Sequence, residues 1–118
     1  MISETSKKPM VVIESPFRGR TKKESELFKS YAQACMEDSI KRQEVPFASH
    51  LLYTQVLNDG DEHERNIGIS LNLEMLRRAD KSVVYTDLGI SAGMNIAIKK
   101  AVELGIHIEY RQIFKKQN

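Results

Sequence analysis

Short apolar runs alternate with longer amphipathic stretches along the chain. The apolar runs are rich in β-branched residues, which favours strands, whereas the longer stretches repeat their apolar positions with helical spacing. Pro46 removes a backbone donor, so it is expected at the start of the second strand or near a sheet edge. The predicted strands are 10–13, 45–49, 82–86 and 107–111, and the predicted helices are 23–42, 64–78 and 91–104.

Strands that alternate with helices predict parallel strands joined by right-handed crossovers. The expected fold class is α/β, a small Rossmann-like three-layer sandwich. Its mainly parallel sheet should have about four strands, ordered around the first and third, with helices on both faces. We expect a flexible N-terminus over residues 1–9, a single domain over 10–114 and a basic tail over 115–118. The runs 11–13, 45–48 and 83–85 are expected to be buried strands.

Residues 50–62 form a long connection with little periodicity. Apolar side chains in a loop need cover, either from another copy of the chain or from the loop folding back over its own core. The first alternative predicts a homodimer or higher homo-oligomer, with this loop or the second helix at the interface. The apolar side chains concerned are Leu51, Leu52, Tyr53, Val56 and Leu57.

Composition narrows the class of protein. The 118 residues carry 18 basic and 16 acidic side chains, a net charge of +2, which argues against a dedicated nucleic-acid binder. No apolar run approaches the roughly 20 residues that span a bilayer, and the N-terminus lacks a signal-peptide pattern. We therefore expect a cytoplasmic protein without membrane contact.

The metal-binding and redox chemistry of the chain is limited. The single cysteine, Cys35, excludes an intramolecular disulfide and is interpreted as a core residue rather than a reactive thiol. The three histidines lack metal-ligand spacing, so no metal and no cofactor are expected.

Polar residues follow each of the first three predicted strands. In an open parallel sheet, ligands bind outside the carboxyl ends of the strands, where the strand order switches. These residues are therefore candidates for one ligand site. The candidate ligand-binding residues are Ser15, Phe17, Arg18, Gly19, His50, Asp87, Gly89, Ser91, Gly93 and Met94.

The turn after the third strand has the features of an anion cradle. Gly89 and Gly93 allow close approach of backbone to a ligand, and Ser91 suits the N-cap of a helix whose free N–H groups attract anions. The alternative is that Ser91 only caps the helix and the glycines only turn the chain. Neither a Walker A loop nor a G-x-G-x-x-G motif is present.

Four charged or titratable side chains have two interpretations each. Arg18 reaches a phosphate or is a solvated loop charge, and Asp87 accepts hydrogen bonds from ribose hydroxyls or from loop amides. His50 contacts the ligand or is a structural histidine. Glu14 ends a buried strand, where burial would raise its pKa and suit proton transfer, or it forms an ion pair with Arg18.

Four segments carry a resemblance to a known family: "VVIESPFRG", "PFASHLLYTQ", "ERNIGIS" and "VVYTDLGISAGMNIAI…GIHIEYR". Together they resemble an uncharacterised family, common in phages and prophages, within the nucleoside 2-deoxyribosyltransferase-like superfamily. The resemblance covers residues 11–111. It implies a Rossmann-like domain and a ligand that contains a nucleobase, a ribose and often a 5′-phosphate. For a phage-encoded chain, the compartment would be the cytoplasm of the bacterial host.

The superfamily's enzymes form a glycosyl intermediate on a glutamate in the helix after the third strand. In this chain Ala97 stands at the matching position, while Asp87 loosely matches the aspartate that holds sugar hydroxyls. The resemblance thus implies a binder of a nucleotide-derived small molecule, with sequestration of a phage-defence nucleotide signal as its role. The alternative is a nucleotide N-glycoside hydrolase or deoxyribosyltransferase that uses a non-standard carboxylate, Glu14 or Asp87.

Overall fold

The computed structural model describes residues 7–114, so the predicted basic tail and residues 1–6 of the predicted flexible N-terminus lie outside the described residues. Strands and helices alternate along the described chain. They are β1 (Met10–Glu14), α1 (Lys22–Lys41), β2 (Val45–Phe47), α2 (Ser49–Leu52), a 3₁₀ turn (Tyr53–Gln55), α3 (Glu62–Arg78), β3 (Lys81–Tyr85), α4 (Ala92–Glu103) and β4 (His107–Arg111). Across residues 7–114, no helix combines the length and apolar character needed to span a membrane.

The four strands form one parallel sheet in the order β2-β1-β3-β4. This confirms the predicted α/β class and the central position of the first and third strands. The chain runs outward from β1 to β2 and then returns to the other side of β1 to form β3. The strand order therefore switches between β1 and β3, which is where an open parallel sheet offers a ligand crevice.

The side chains of β1 alternate between two hydrophobic cores. Val11 and Ile13 pack with Tyr31 and Cys35 of α1, together with Ala48, Val83 and Tyr85. On the opposite face Val12 packs with Leu76 of α3 and Ala101 of α4. Since successive residues of a strand point to opposite faces, one strand serves both layers. The predicted three-layer arrangement is confirmed, and Cys35 is a core residue.

Two local predictions were wrong. The run 45–48 was expected to be a buried strand, but Val45 is 48% exposed and Pro46 and Phe47 are only partly buried, because β2 lies at the edge of the sheet. Residues 50–62 were expected to be irregular, but α2 and the 3₁₀ turn occupy their first part. Leu51 packs against the core on the α1 side, whereas Leu52 and Val56 are exposed, so the segment folds back only in part.

A buried ion pair joins β4 to the residue that precedes β2. Arg111 Nη1 and Nη2 donate to the two carboxylate oxygens of Glu44 at 2.8 and 2.5 Å, and both side chains are only 4% exposed. Ser39 also donates to Glu44, and Lys81 bridges Glu44 and Glu109. Burial opposes ionisation of Glu44, but the hydrogen bonds from Arg111, Ser39 and Lys81 outweigh it and hold the pKa at about 2.

Candidate functional site

A cavity of about 370 Å³ opens at the carboxyl ends of the strands, next to the switch in strand order. Its walls come from the segment after β1, from α2 and the residues that follow it, from one face of α3 and from the first two turns of α4. The volume falls in the range of small-molecule binding sites.

This one cavity is lined by most of the candidate residues that were predicted from the sequence, although they come from three separate segments of the chain. Glu14 and seven of the ten candidate ligand-binding residues are in its lining. The seven are Ser15, Phe17, Arg18, His50, Ser91, Gly93 and Met94. Gly19, Asp87 and Gly89 are not in the lining.

Asp87 anchors the chain segment that follows β4. Its carboxylate accepts hydrogen bonds from the Tyr31 hydroxyl at 2.6 Å and from the backbone N–H groups of Ile113 and Phe114, each at 3.0 Å. Burial opposes ionisation, yet these hydrogen bonds hold the pKa of Asp87 below its ordinary value. The observed contacts are those of the loop-amide interpretation, and the ribose contact stays a prediction.

The two other candidates outside the cavity, Gly19 and Gly89, allow the backbone conformation of the loops in which they lie. Gly89 adopts a positive φ of 87° in an exposed turn, a conformation that favours glycine. Gly19 packs against the start of α1, where an added Cβ would lie 2.5 Å from the backbone nitrogen of Ser25. Its own N–H donates to the Ser25 hydroxyl at 3.0 Å. Both glycines are therefore required by the backbone.

Glu14 is a buried carboxylate in the wall of the cavity and is 8% exposed. Asn72 of α3 donates to its Oε2 at 3.0 Å, and Ser49 of α2 donates to Asn72 Oδ1 at 2.9 Å. Burial raises the pKa of Glu14 to about 7, although the hydrogen bond from Asn72 opposes the rise. Near neutral pH this group can therefore give up or accept a proton. Within residues 7–114 it forms no ion pair, so the predicted partnership with Arg18 is absent.

Ser15 and His50 form a hydrogen-bonded pair beside Glu14. The Ser15 hydroxyl oxygen lies 2.8 Å from His50 Nε2, and the His50 ring meets Phe17 edge to face with ring centroids 5.5 Å apart. Burial lowers the pKa of His50 to about 4, so the imidazole is neutral at pH 7. A base this weak gives little activation to a serine nucleophile. The pair is better suited to hydrogen bonding with a ligand.

The N-terminus of α4 forms the opposite wall. Ser91 is the N-cap, as predicted, and its Oγ accepts the Met94 N–H at 3.2 Å. The N–H groups of the first helical turn have no intrahelical acceptor, and Ala92 and Gly93 of that turn line the cavity. Together with the helix dipole, these amides favour an anion.

Sequence reasoning missed the contribution of α2 and α3. Arg65, Ile69 and Asn72 share one face of α3 and line the cavity, together with Ser49 and Tyr53. The available signal was Asn72, a polar residue at helical spacing between apolar positions and 9% exposed. A buried amide in such a stripe requires a polar partner, which proves to be Glu14.

Ala97 lies on the second turn of α4, lines the cavity and is 6% exposed. The position to which the resemblance assigns a nucleophilic glutamate thus faces the cavity without a carboxylate. Two other acidic side chains, Asp59 and Glu64, contribute to the lining, and Glu64 Oε1 accepts the Asn58 N–H at 3.0 Å. Across residues 7–114, no group of three or more His, Cys, Asp or Glu residues is arranged to hold a metal ion.

Comparisons with known proteins extend this description. A family model described as a domain of unknown function, DUF7768, matches residues 9–111. No curated protein matches the chain. Among solved structures, the fold is similar to that of a 2-deoxyribosyltransferase from the psychrotolerant bacterium Bacillus psychrosaccharolyticus. The TM-score is 0.61 at 16% sequence identity, and the match covers 92% of this chain and 76% of that one. At this identity the likeness shows a shared fold and nothing beyond it.

Proposed function

The chain belongs to the DUF7768 family, and from that premise we propose that it binds a nucleotide-derived small molecule in the cavity at the carboxyl ends of the strands. The observation that carries the proposal is the convergence of complementary groups in one cavity. A helix N-terminus suits a phosphate, an aromatic and aliphatic wall suits a base, and a buried carboxylate with its amide partner suits sugar or base hydrogen bonds.

We infer the bound orientation from the groups that line the cavity. The phosphate lies against Ser91 and the amides of Ala92 and Gly93, and Arg18 adds the positive charge that amides lack. The base packs on the wall that contains Phe17 and Tyr53. The ribose then lies between them, near Glu14 and Asn72.

Binding without turnover is favoured by Ala97. Cleavage of an N-glycosidic bond develops positive charge at C1′ and requires a carboxylate beside the sugar. The position on α4 that would supply it carries a methyl group instead. A cavity that has groups for binding a nucleotide but lacks this carboxylate is expected to hold the nucleotide intact. Sequestration of a phage-defence signal remains a prediction that such retention would support.

Glu14 supports a second candidate, an N-glycoside hydrolase or transferase. It lies in the cavity wall, is held by Asn72 and has its pKa raised by burial to about 7. These are properties of a catalytic carboxylate. The distinguishing experiment has two parts: mass spectrometry of any molecule released by heating the purified protein, and chromatography of free base after incubation with nucleotides. Intact nucleotide without base release supports the binder, whereas base release that disappears in Glu14→Gln establishes the second candidate.

Arg18→Ala is expected to weaken nucleotide binding by roughly ten- to a hundredfold. A charge-assisted hydrogen bond contributes about 1.5–3 kcal/mol, and each 1.4 kcal/mol is about a factor of ten. Isothermal titration calorimetry measures the change. Arg20→Ala is the matched control, because Arg20 is an exposed arginine two residues away that does not line the cavity. Equal losses in both variants would mean that general surface charge, not the cavity, attracts the ligand.

The homo-oligomer also remains a prediction. Leu52 and Val56, beside the cavity, are 47% and 79% exposed, so an apolar surface is available for a second copy of the chain. Sedimentation at micromolar concentration tests it, and a monomer there would contradict it.

A further inference from the structure

A second, shallower cleft adjoins the cavity on the side of α1, with a volume of about 790 Å³. The two share a boundary, because the same five residues line both. These residues are Phe17, Arg18, Thr54, Leu57 and Asp59. The cavity and the cleft are therefore neighbours, and a ligand that spans this boundary would contact both.

The cleft has a different chemistry from the cavity. Lys29 and Gln33 lie one turn apart on the exposed side of α1. Gln55 and Asn58 line the cleft from the segment after α2, where Gln55 Nε2 donates to the Leu51 carbonyl at 3.2 Å and Asn58 Oδ1 accepts the Gly60 N–H at 2.9 Å. Lys29 and Gln33 form no side-chain hydrogen bond or ion pair with any described residue, so both remain available to a ligand. The side-chain amide of Gln33 can therefore pair with the edge of a nucleobase through two hydrogen bonds. The lining is thus suited to a second polar, planar group.

The boundary between the two spaces carries one cation, Arg18, and one carboxylate, Asp59. Arg18 lines both spaces and its side chain is exposed, so its guanidinium can reach a group that lies between them. Lys29 adds a second cation on the cleft side. Asp59 is the single carboxylate in the described lining of the cleft, so positive charge is in excess there.

From this juxtaposition we propose that the ligand is a dinucleotide: two nucleoside units joined through phosphate, one in the cavity and the other in the cleft. The phosphate of the cavity unit, which Arg18 contacts, is the phosphate that links the two. The proposal rests on the proposed function and adds the size and chemical class of the ligand. It assigns ligand contacts to Lys29 and Gln33, which lie outside the cavity.

Binding of three nucleotide series to the 118-residue chain tests the proposal. Calorimetry compares 5′-phosphorylated homodinucleotides of each base with the matching nucleoside monophosphates and diphosphates. The diphosphates separate the effect of a second phosphate from that of a second nucleoside. We expect at least one dinucleotide to bind about tenfold or more tightly than both single-nucleoside ligands. Lys29→Ala should reduce dinucleotide affinity by about tenfold and monophosphate affinity by less than about twofold.

Lys23→Ala is the matched control, since it removes an exposed lysine of the same helix that lines neither space. It should leave both affinities unchanged. Equal affinity for monophosphate and dinucleotide, with no selective effect of Lys29→Ala, would overturn the dinucleotide proposal and leave the proposed function standing. Absence of binding by every nucleotide in the three series would overturn both.

Discussion

Replacing Arg111 with methionine is expected to lower the free energy of unfolding by about 3–5 kcal/mol, the usual loss when one partner of a buried ion pair is removed. Arg111 donates two hydrogen bonds to Glu44, and both side chains are 4% exposed. Without Arg111, the buried carboxylate keeps only Lys81 and Ser39. Urea denaturation at pH 7 measures the loss.

Two further variants make this test specific. Lys41→Met breaks an ion pair with Glu37 in which both side chains are more than half exposed, so it should change stability little. The double variant Glu44→Leu with Arg111→Met should recover much of the loss, because replacing a whole buried pair by apolar groups is often neutral. A single variant as stable as the parent would mean that the pair contributes little.

The same ion pair is expected to make the stability of the fold decrease at acid pH. The folded-state pKa of Glu44, about 2, lies below its ordinary value of 4.5. A carboxylate with a lowered pKa contributes stability that is present above the unfolded-state pKa and is lost as the pH falls through the folded-state pKa. The contribution should therefore decline between about pH 4.5 and 2, and Arg111→Met should remove much of that dependence.

Glu14→Gln is expected to stabilise the protein above pH 7. The folded-state pKa of Glu14 is raised from 4.5 to about 7, so its favourable contribution is complete below pH 4.5 and is lost as the pH rises through 7. Glutamine does not ionise and avoids the cost of a buried charge. At 1.36 kcal/mol per pKa unit, the stability difference should grow from near zero at pH 4.5 to roughly 3 kcal/mol at pH 8–9. Thermal or urea unfolding across this pH range measures it.

Glu26→Gln is the matched control, because it neutralises an exposed carboxylate on α1 that lines neither the cavity nor the cleft. As a surface substitution, it should change the free energy of unfolding by no more than about 0.5 kcal/mol. A Glu14→Gln variant less stable than the parent at pH 8 would mean that the Glu14 carboxylate is better solvated than its burial indicates. A group that destabilises its own fold is typical of functional sites.

The fold could be predicted because the sequence pattern is local and consistent. Residues 11–13 and 83–85 are continuous apolar runs flanked by amphipathic helices, and this pattern specifies buried parallel strands. α2 could not be predicted, because four residues are too few to display a helical period. Val45 was misplaced for a related reason, since an apolar residue at the end of an edge strand looks the same in sequence as a buried one.

The candidate site was predicted from one rule, that polar residues after parallel strands converge. The rule correctly brought Glu14, His50 and Ser91 into one cavity. It does not describe which way each side chain points, and Asp87, at the end of β3, bonds Tyr31 and the segment after β4 instead. It also ignores helices, so the contribution of Asn72 was not foreseen.

The contacts of Asp87 also show that the folded unit extends beyond the segment that the family model matches. The family match ends at residue 111, yet two of the three hydrogen bonds to the Asp87 carboxylate come from Ile113 and Phe114. The Phe114 ring also lies against Tyr31, with centroids 5.9 Å apart. A domain boundary drawn at the end of the match would remove both amide donors and leave a half-buried carboxylate with one partner. Anyone who excises this domain, or fuses another protein after it, should keep the chain through residue 114 at least.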